Sequence, residues 1–276
     1  MKKVITIYLY LILTLFVSCD FGQKIEGSKK LVMVGTVHFP TDKVNADSIF
    51  KILETVSPDC ILMEVDSSNF KEDFSFKKVY DENEYNAVLK YKEKYPKVDI
   101  RPIEFEGRNA YRKLNGLYSG AGQTFPVLNQ VNRAKKFNTE EQKIWDTHVE
   151  YWEETEKIGQ GNLYKINTPL SDAIVDSSKL FQYIKLKTII NNHEEFENKM
   201  LDAKGDSISI RNYFLKWANF EYKDRNEAMV ENIIKTINSF PDKKNFVLMV
   251  GFHHRFYIKK ELENRDINFE IKEFYE

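Results

Sequence analysis

The sequence lacks an excess of charge of either sign. Its 41 Lys and Arg stand against 42 Asp and Glu, a formal net charge of -1. Nucleic-acid binding rests on a basic footprint that neutralises phosphates, so this balance excludes an electrostatic case for a DNA or RNA partner. Cysteine is nearly absent, with Cys19 and Cys60 the only two. Cys60 lies inside a predicted strand and reads as a small buried hydrophobe. There is no internal repeat, no low-complexity tract and no heptad pattern. What is present is core material: 42% of the 276 residues are hydrophobic, enough for one large domain or a domain with an insertion. The 20 Phe and 15 Tyr read as packing residues rather than as a stacking surface.

The start of the chain stands apart from the fold. MKK is a short basic region, and VITIYLYLILTLFV is an uninterrupted apolar run. That run is shorter than the roughly 20 residues a membrane-spanning helix needs, so it reads as a signal-peptide core. It ends in FVSC, which resembles a bacterial lipobox with Cys19 as the lipidated residue; the alternatives are an ordinary secretory peptide or a short anchor that stays uncleaved. Residues 1–18 are then the lipoprotein signal peptide and 19–30 a polar tether. The partner expected here is a membrane, reached through the lipid on Cys19. The location expected is the bacterial cell envelope, on the extracytoplasmic side. With Cys19 lipidated, no intramolecular disulfide is possible.

From residue 31 onward the pattern is strand, helix, strand, helix, strand. LVMV is a strand closed by Gly35. NADSIFKILETVSP carries Ile49, Ile52, Leu53 and Val56 on one helical face, with Asn45 or Asp47 as its cap. CILMEV is a second strand, NEYNAVLKYKEKYP a helix, and VDIRPIEFE a third strand. This order predicts an α/β fold with a mostly parallel sheet and right-handed crossovers. From about 107 to 240 there is almost no strand signal, only segments with helical spacing. The strand signal returns as NFVLMV, followed by a helix (RFYIKKELEN) and a last strand (INFEIKEF). Both ends of the chain therefore build one α/β domain over 31–276, with a large all-helical insertion capping the strand C-terminal rim.

Chemistry-bearing residues collect at the predicted strand ends. Strand one leads to His38, strand two to Glu64 and Asp66, strand three to Glu104, Glu106 and Arg108, and the late strand to Gly251, His253 and His254. In an open parallel sheet these ends share one rim, where such folds bind ligands. Gly35 and Gly251 would let the chain turn and a ligand approach. Two imidazoles with one or two carboxylates make a competent divalent-metal set. They equally suit a metal-free site, with histidine as general base and glutamate as its partner. Arg225, in YKDRNEAM, would reach the same rim and hold a carboxylate or an oxyanion. His148 and His193 sit in charged helical segments and read as solvated.

The elements Gly35 to His38, Glu64 with Asp66, Arg225-Asn226-Met229, and Gly251 to His254 appear in an order that resembles the TraB/GumN family, which includes the Tiki metalloproteases. More distantly the chain is similar to erythromycin-esterase-like hydrolases and to haem-binding ChaN-like lipoproteins. The resemblance implies a metal-dependent, peptidase-like hydrolase with His38, His254 and Glu64 near the metal. Phe252 and His253 depart from the family pattern and leave open which imidazole faces the site; spacing from Gly251 favours His254. The leading expectation is a lipid-anchored hydrolase acting on a peptide or small ester. His38, Glu64, His254 and Glu104 would hold manganese, cobalt, zinc or iron, Glu106 being the alternative to Glu104, and Arg225 would steady the substrate. Two other readings stand beside it. One is a non-catalytic lipoprotein that binds haem, a metal or a peptide. The other is a metal-free esterase-like hydrolase.

Overall fold

A computed structural model describes residues 28–276. The segment expected to be a signal peptide, Cys19 and most of the expected tether lie outside the described residues. The first strand, β1, spans Lys29–Thr36, followed by α1 (Ala46–Val56), β2 (Cys60–Met63), α2 (Asn83–Lys94) and β3 (Asp99–Pro102). The helical stretch holds α3 (Arg108–Leu114), α4 (Thr124–Arg133), α5 (Thr139–Gly159), α6 (Leu163–Ile166), α7 (Pro169–Leu180), α8 (Leu186–Asn192), α9 (Ile210–Asn219) and α10 (Arg225–Asn238). The chain closes with β6 (Asn245–Gly251), α11 (Phe252–Glu263) and β7 (Phe269–Glu273).

Five strands form one parallel sheet in the order β3-β2-β6-β1-β7. Strand β6 enters between β1 and β2, so the late GFHH segment lies at the middle of the rim. Register fixes this: Val32, Val247 and Ile61 lie abreast, and Thr36 is opposite Gly251. The central strands are apolar on both faces because both are covered. Val32, Val34, Ile61, Met63, Val247 and Met249 pack against α1, α2, α6 and α7. Leu31, Met33, Leu62, Phe246, Leu248 and Val250 meet Met229, Val230, Ile233 and Ile237 of α10 on the other face. Thus α10 closes over the sheet as a crossover helix. The remaining helices have a core of their own, around Leu128, Leu186, Ile189, Phe196, Tyr213, Phe214 and Phe220.

The helical stretch also contains a short antiparallel hairpin, β4 (Lys199–Leu201) with β5 (Ser207–Ser209). Three residues per strand are too few to show an alternating pattern. Asp202 holds its turn by accepting from the Lys204 and Asp206 amides. β3 is shorter than its apolar pattern predicts. It ends at Pro102, which has no N–H to offer the ladder. Cys60 is fully buried in β2, and burial pushes its thiol up to about 12. Among the described residues no helix is long and apolar enough to cross a membrane.

Gly35 has a different role from the one its sequence position implies. It lies within β1, and its N–H and C=O are taken by the Asn167 side chain, which acts as a substitute strand beside β1. A Cβ there would meet Arg255 Cδ at 2.8 Å and Asn167 Oδ1 at 3.1 Å. Arg255 is fully buried between Asp172 and Glu273 and has little room to retreat. Gly35→Ala is therefore expected to cost about 1–3 kcal/mol in urea unfolding. Gly120→Ala, with open space around its Cβ, is the control and should stay within about 0.5 kcal/mol.

Candidate functional site

Three of the predicted residues meet around a fourth, Arg225. It opens α10 directly after a π-helical turn, Phe220–Asp224, and is only 6% exposed. Its Nε donates to Glu104 Oε1 (2.9 Å), and its Nη2 to Glu104 Oε2 (2.5 Å) and Glu64 Oε1 (2.6 Å). Its Nη1 faces His254 Nε2 (3.0 Å) and Glu221 Oε2 (3.5 Å). A guanidinium has five N–H donors. Each is committed here, so Arg225 has none left for a substrate or an oxyanion. It binds the framework of the site instead, which corrects the role expected of it from sequence. Burial opposes its charge, but the Glu104 hydrogen bonds and the surrounding carboxylates outweigh burial and hold it protonated.

The carboxylates are equally well held. Glu104 is 2% exposed and also accepts from Arg108 Nη1 (2.6 Å) and the Phe105 amide. Glu221 accepts Arg112 Nε at 2.9 Å and Nη2 at 2.5 Å. Glu64 Oε2 accepts the Gly251 amide (2.8 Å), which seats that carboxylate at the positive end of α11.

His254 is tied by geometry to one tautomer. The Asn226 amide nitrogen donates to the carbonyls of Tyr222 (2.8 Å) and Glu221 (3.2 Å), leaving its Oδ1 as an acceptor 2.7 Å from His254 Nδ1. Nδ1 therefore carries the proton, and Nε2 accepts from Arg225. Burial, then Arg225, holds this imidazole well below its ordinary pKa, and it stays neutral. His253 goes elsewhere. Both histidines lie in the first turn of α11, where successive side chains diverge by about 100°. His253 stacks on Phe252, with ring centroids 4.0 Å apart, and its Nδ1 is enclosed without a partner.

His38 is the accessible member of the site, with 46% of its side chain exposed. Its Nδ1 lies 3.0 Å from Glu84 Oε1, and the same carboxylate oxygen accepts the Thr36 hydroxyl. The Glu84 hydrogen bond outweighs burial and raises the His38 pKa to about 9. A Cβ on Gly251 would lie 3.3 Å from both His38 Nε2 and Glu64 Oε2. A side chain there would crowd both groups, which close over the end of β6. A small cleft of about 20 Å3 lies between His38, Glu64, Glu82, Glu84 and Gly251, enough for about one water-sized group. Burial also raises the Glu82 pKa.

The ligand set expected from sequence does not form a cradle for a cation. The Arg225 guanidinium already supplies the positive charge shared by Glu64, Glu104 and His254, and His254 Nε2 has its lone pair engaged. Another set fits the chemistry better. His38, Glu82 and Glu84 each offer one ligand atom within 4.8 Å of the others, and Glu84 Oε2 is buried without a hydrogen-bond partner. Glu106 is exposed, with one long contact from Ser67. Asp66 caps a turn and accepts the Arg108 amide.

No family model matches the chain, and no curated protein matches it. Among solved structures it is similar to an erythromycin esterase mutant, EreC, in its open conformation. That similarity has 12% identity and a TM-score of 0.32, over 90% of this chain and 69% of that one. A likeness this slight carries no argument about activity. The resemblance to the TraB/GumN family rests on the sequence motifs alone.

Three residues of the site were missed from sequence: Glu82, Glu84 and Glu221. Glu84 sits in DENEYN, where an acidic residue in a first helical turn passes for a favourable end charge. Glu221 precedes Arg225 by four residues, a spacing ordinary for any helical pair. His148 and His193 are also corrected. His148 is buried, and His193 Nε2 pairs with Glu141 Oε2 (3.1 Å), because the helical stretch has a core that covers these faces. Removing the central cation would leave buried Glu64 without an arginine and would take one of two arginines from Glu104 and from Glu221. Arg225→Met is expected to cost about 3–5 kcal/mol in denaturant unfolding, and adding Glu104→Gln should recover part of that loss. A cost below about 1 kcal/mol would mean the network does not exist as described.

Proposed function

We propose that the protein hydrolyses an ester or amide carbonyl, with His38 as a metal-free general base held by Glu84. One observation carries this reading. His38 presents Nε2 to an open rim while Glu84 fixes Nδ1, and the other predicted ligands are already neutralised by Arg225. A carboxylate that accepts from one imidazole nitrogen orients the ring and stabilises the imidazolium formed during proton transfer. His38 Nε2 would take a proton from attacking water as its oxygen bonds to the carbonyl carbon. It would then return that proton to the leaving oxygen or nitrogen as the scissile bond breaks. His254 on the same rim has Nε2 engaged by Arg225 and Nδ1 by Asn226, which supports His38 as the group that transfers the proton.

The neutral imidazole is the base, so kcat/KM on ester or peptide substrates should rise with pH through about 9. Glu84→Gln removes the charge that retains the proton and should move that limb down toward 6.5. A limb that stays in place would overturn the assignment. Exhaustive chelation should leave activity intact. Loss on chelation, with recovery on adding one divalent ion, would instead favour the second reading. In that reading His38, Glu82 and Glu84 hold an ion that polarises the carbonyl, a reading supported by their converging ligand atoms.

We also propose attachment to the cell envelope through lipid on Cys19, supported by the basic start and the apolar run that ends at FVSC. In detergent phase partition the wild-type chain should enter the detergent phase, and Cys19→Ser should move to the aqueous phase. Retention of the variant in detergent would point to an uncleaved apolar anchor.

A further inference from the structure

Helix α5 places Trp145, His148, Val149 and Trp152 on one face, at the i, i+3, i+4, i+7 spacing of a helical stripe. Such a stripe ordinarily fills a core. Here it lines a cavity of about 450 Å3, closed by Phe125 and Asn129 of α4 and by Gln182 in the π-helical turn Phe181–Lys185. That volume lies within the range of small-molecule sites, about 300–1000 Å3. Trp152 stands at its mouth, 53% exposed.

One polar group of this cavity is enclosed without a partner. His148 is 6% exposed, stacks on Phe125 (5.7 Å, 18°), and its Nδ1 is enclosed without a hydrogen bond. A buried polar group left unpaired is costly, and native structures usually satisfy it. Gln182 Oε1 accepts from Lys179 Nζ (3.3 Å), which fixes the amide and leaves its two N–H groups as donors. Lys179 makes no ion pair among the described residues, and Glu156 acts on it only at a distance. The cavity therefore combines aromatic walls with a buried imidazole nitrogen that has no partner, and the Lys179 ammonium stands behind the Gln182 that lines it.

We propose that this cavity binds a small carboxylate with an aromatic body. The ring would sit among Phe125, Trp145 and Trp152. The carboxylate would accept from Gln182 and His148 in the field of Lys179, supplying the missing negative charge. The site is distinct from the His38 rim and does not depend on the hydrolytic reading.

The test uses the full-length chain with phenylacetate and its uncharged counterpart phenylacetamide, followed by calorimetry and by tryptophan fluorescence. Phenylacetate should bind saturably and perturb the fluorescence, with the amide weaker by about tenfold or more, the scale of a charge-assisted hydrogen bond. Lys179→Met should abolish the preference for the acid. Trp152→Ala alters a half-exposed residue and should weaken phenylacetate by about tenfold while the circular dichroism stays unchanged. Absence of saturable binding, equal affinity for acid and amide, or binding untouched by Trp152→Ala would each overturn the proposal.

Discussion

The Arg225 guanidinium is the constraint on which the rest of the site depends. It joins four segments far apart in sequence: the end of β2 through Glu64, the loop after β3 through Glu104, the π-helical turn through Glu221, and α11 through His254. A buried ionic network is tolerable only when every member is satisfied. This one is close to that condition, since Arg108 and Arg112 complete the balance at Glu104 and Glu221. The extra residue in the π-helical turn sets the phase at which Glu221 and Arg225 both face the rim. π-Helical turns recur at functional sites.

The network gives the two rim histidines opposite characters. His254 is enclosed between an amide oxygen and a guanidinium, so adding a proton would bring two cations together. His38 stands outside that enclosure, where Glu84 favours its proton and solvent reaches its ring. Gly251 is the hinge between them. Its N–H anchors Glu64, and the missing Cβ leaves space for His38. In the proposed reaction, the substrate carbonyl would lie in the short space between this ionic network and the His38 imidazole.

The helical stretch does more than cover the rim. It has an apolar core of its own, and it connects to the sheet domain through an aromatic joint in which Phe105 packs edge-on against Tyr111 and Phe220. That joint follows Glu104 by one residue and precedes Glu221 by one residue. Packing of the helices on the sheet and alignment of the ionic network are thereby coupled. The second buried cation, Arg255, ties α7 and β7 to α11 in the same way.

The element order, the parallel sheet and the strand ends that supply His38, Glu64 and His254 were legible in the sequence. Apolar runs and helical spacing are set by neighbouring residues, and a parallel sheet sends all its strand ends to one edge. Spacing after Gly251 favoured His254, and His254 is the imidazole that lies against Arg225. The partners were not legible. Glu84 pairs with His38 from 46 positions away, and Arg225 reaches Glu64 across 161. Neither His148 nor Arg225 carries a local mark of its burial. Hydrophobic pattern is a local property and can be read along the chain. Which charge meets which depends on distances between segments that only the folded sheet and helices bring together.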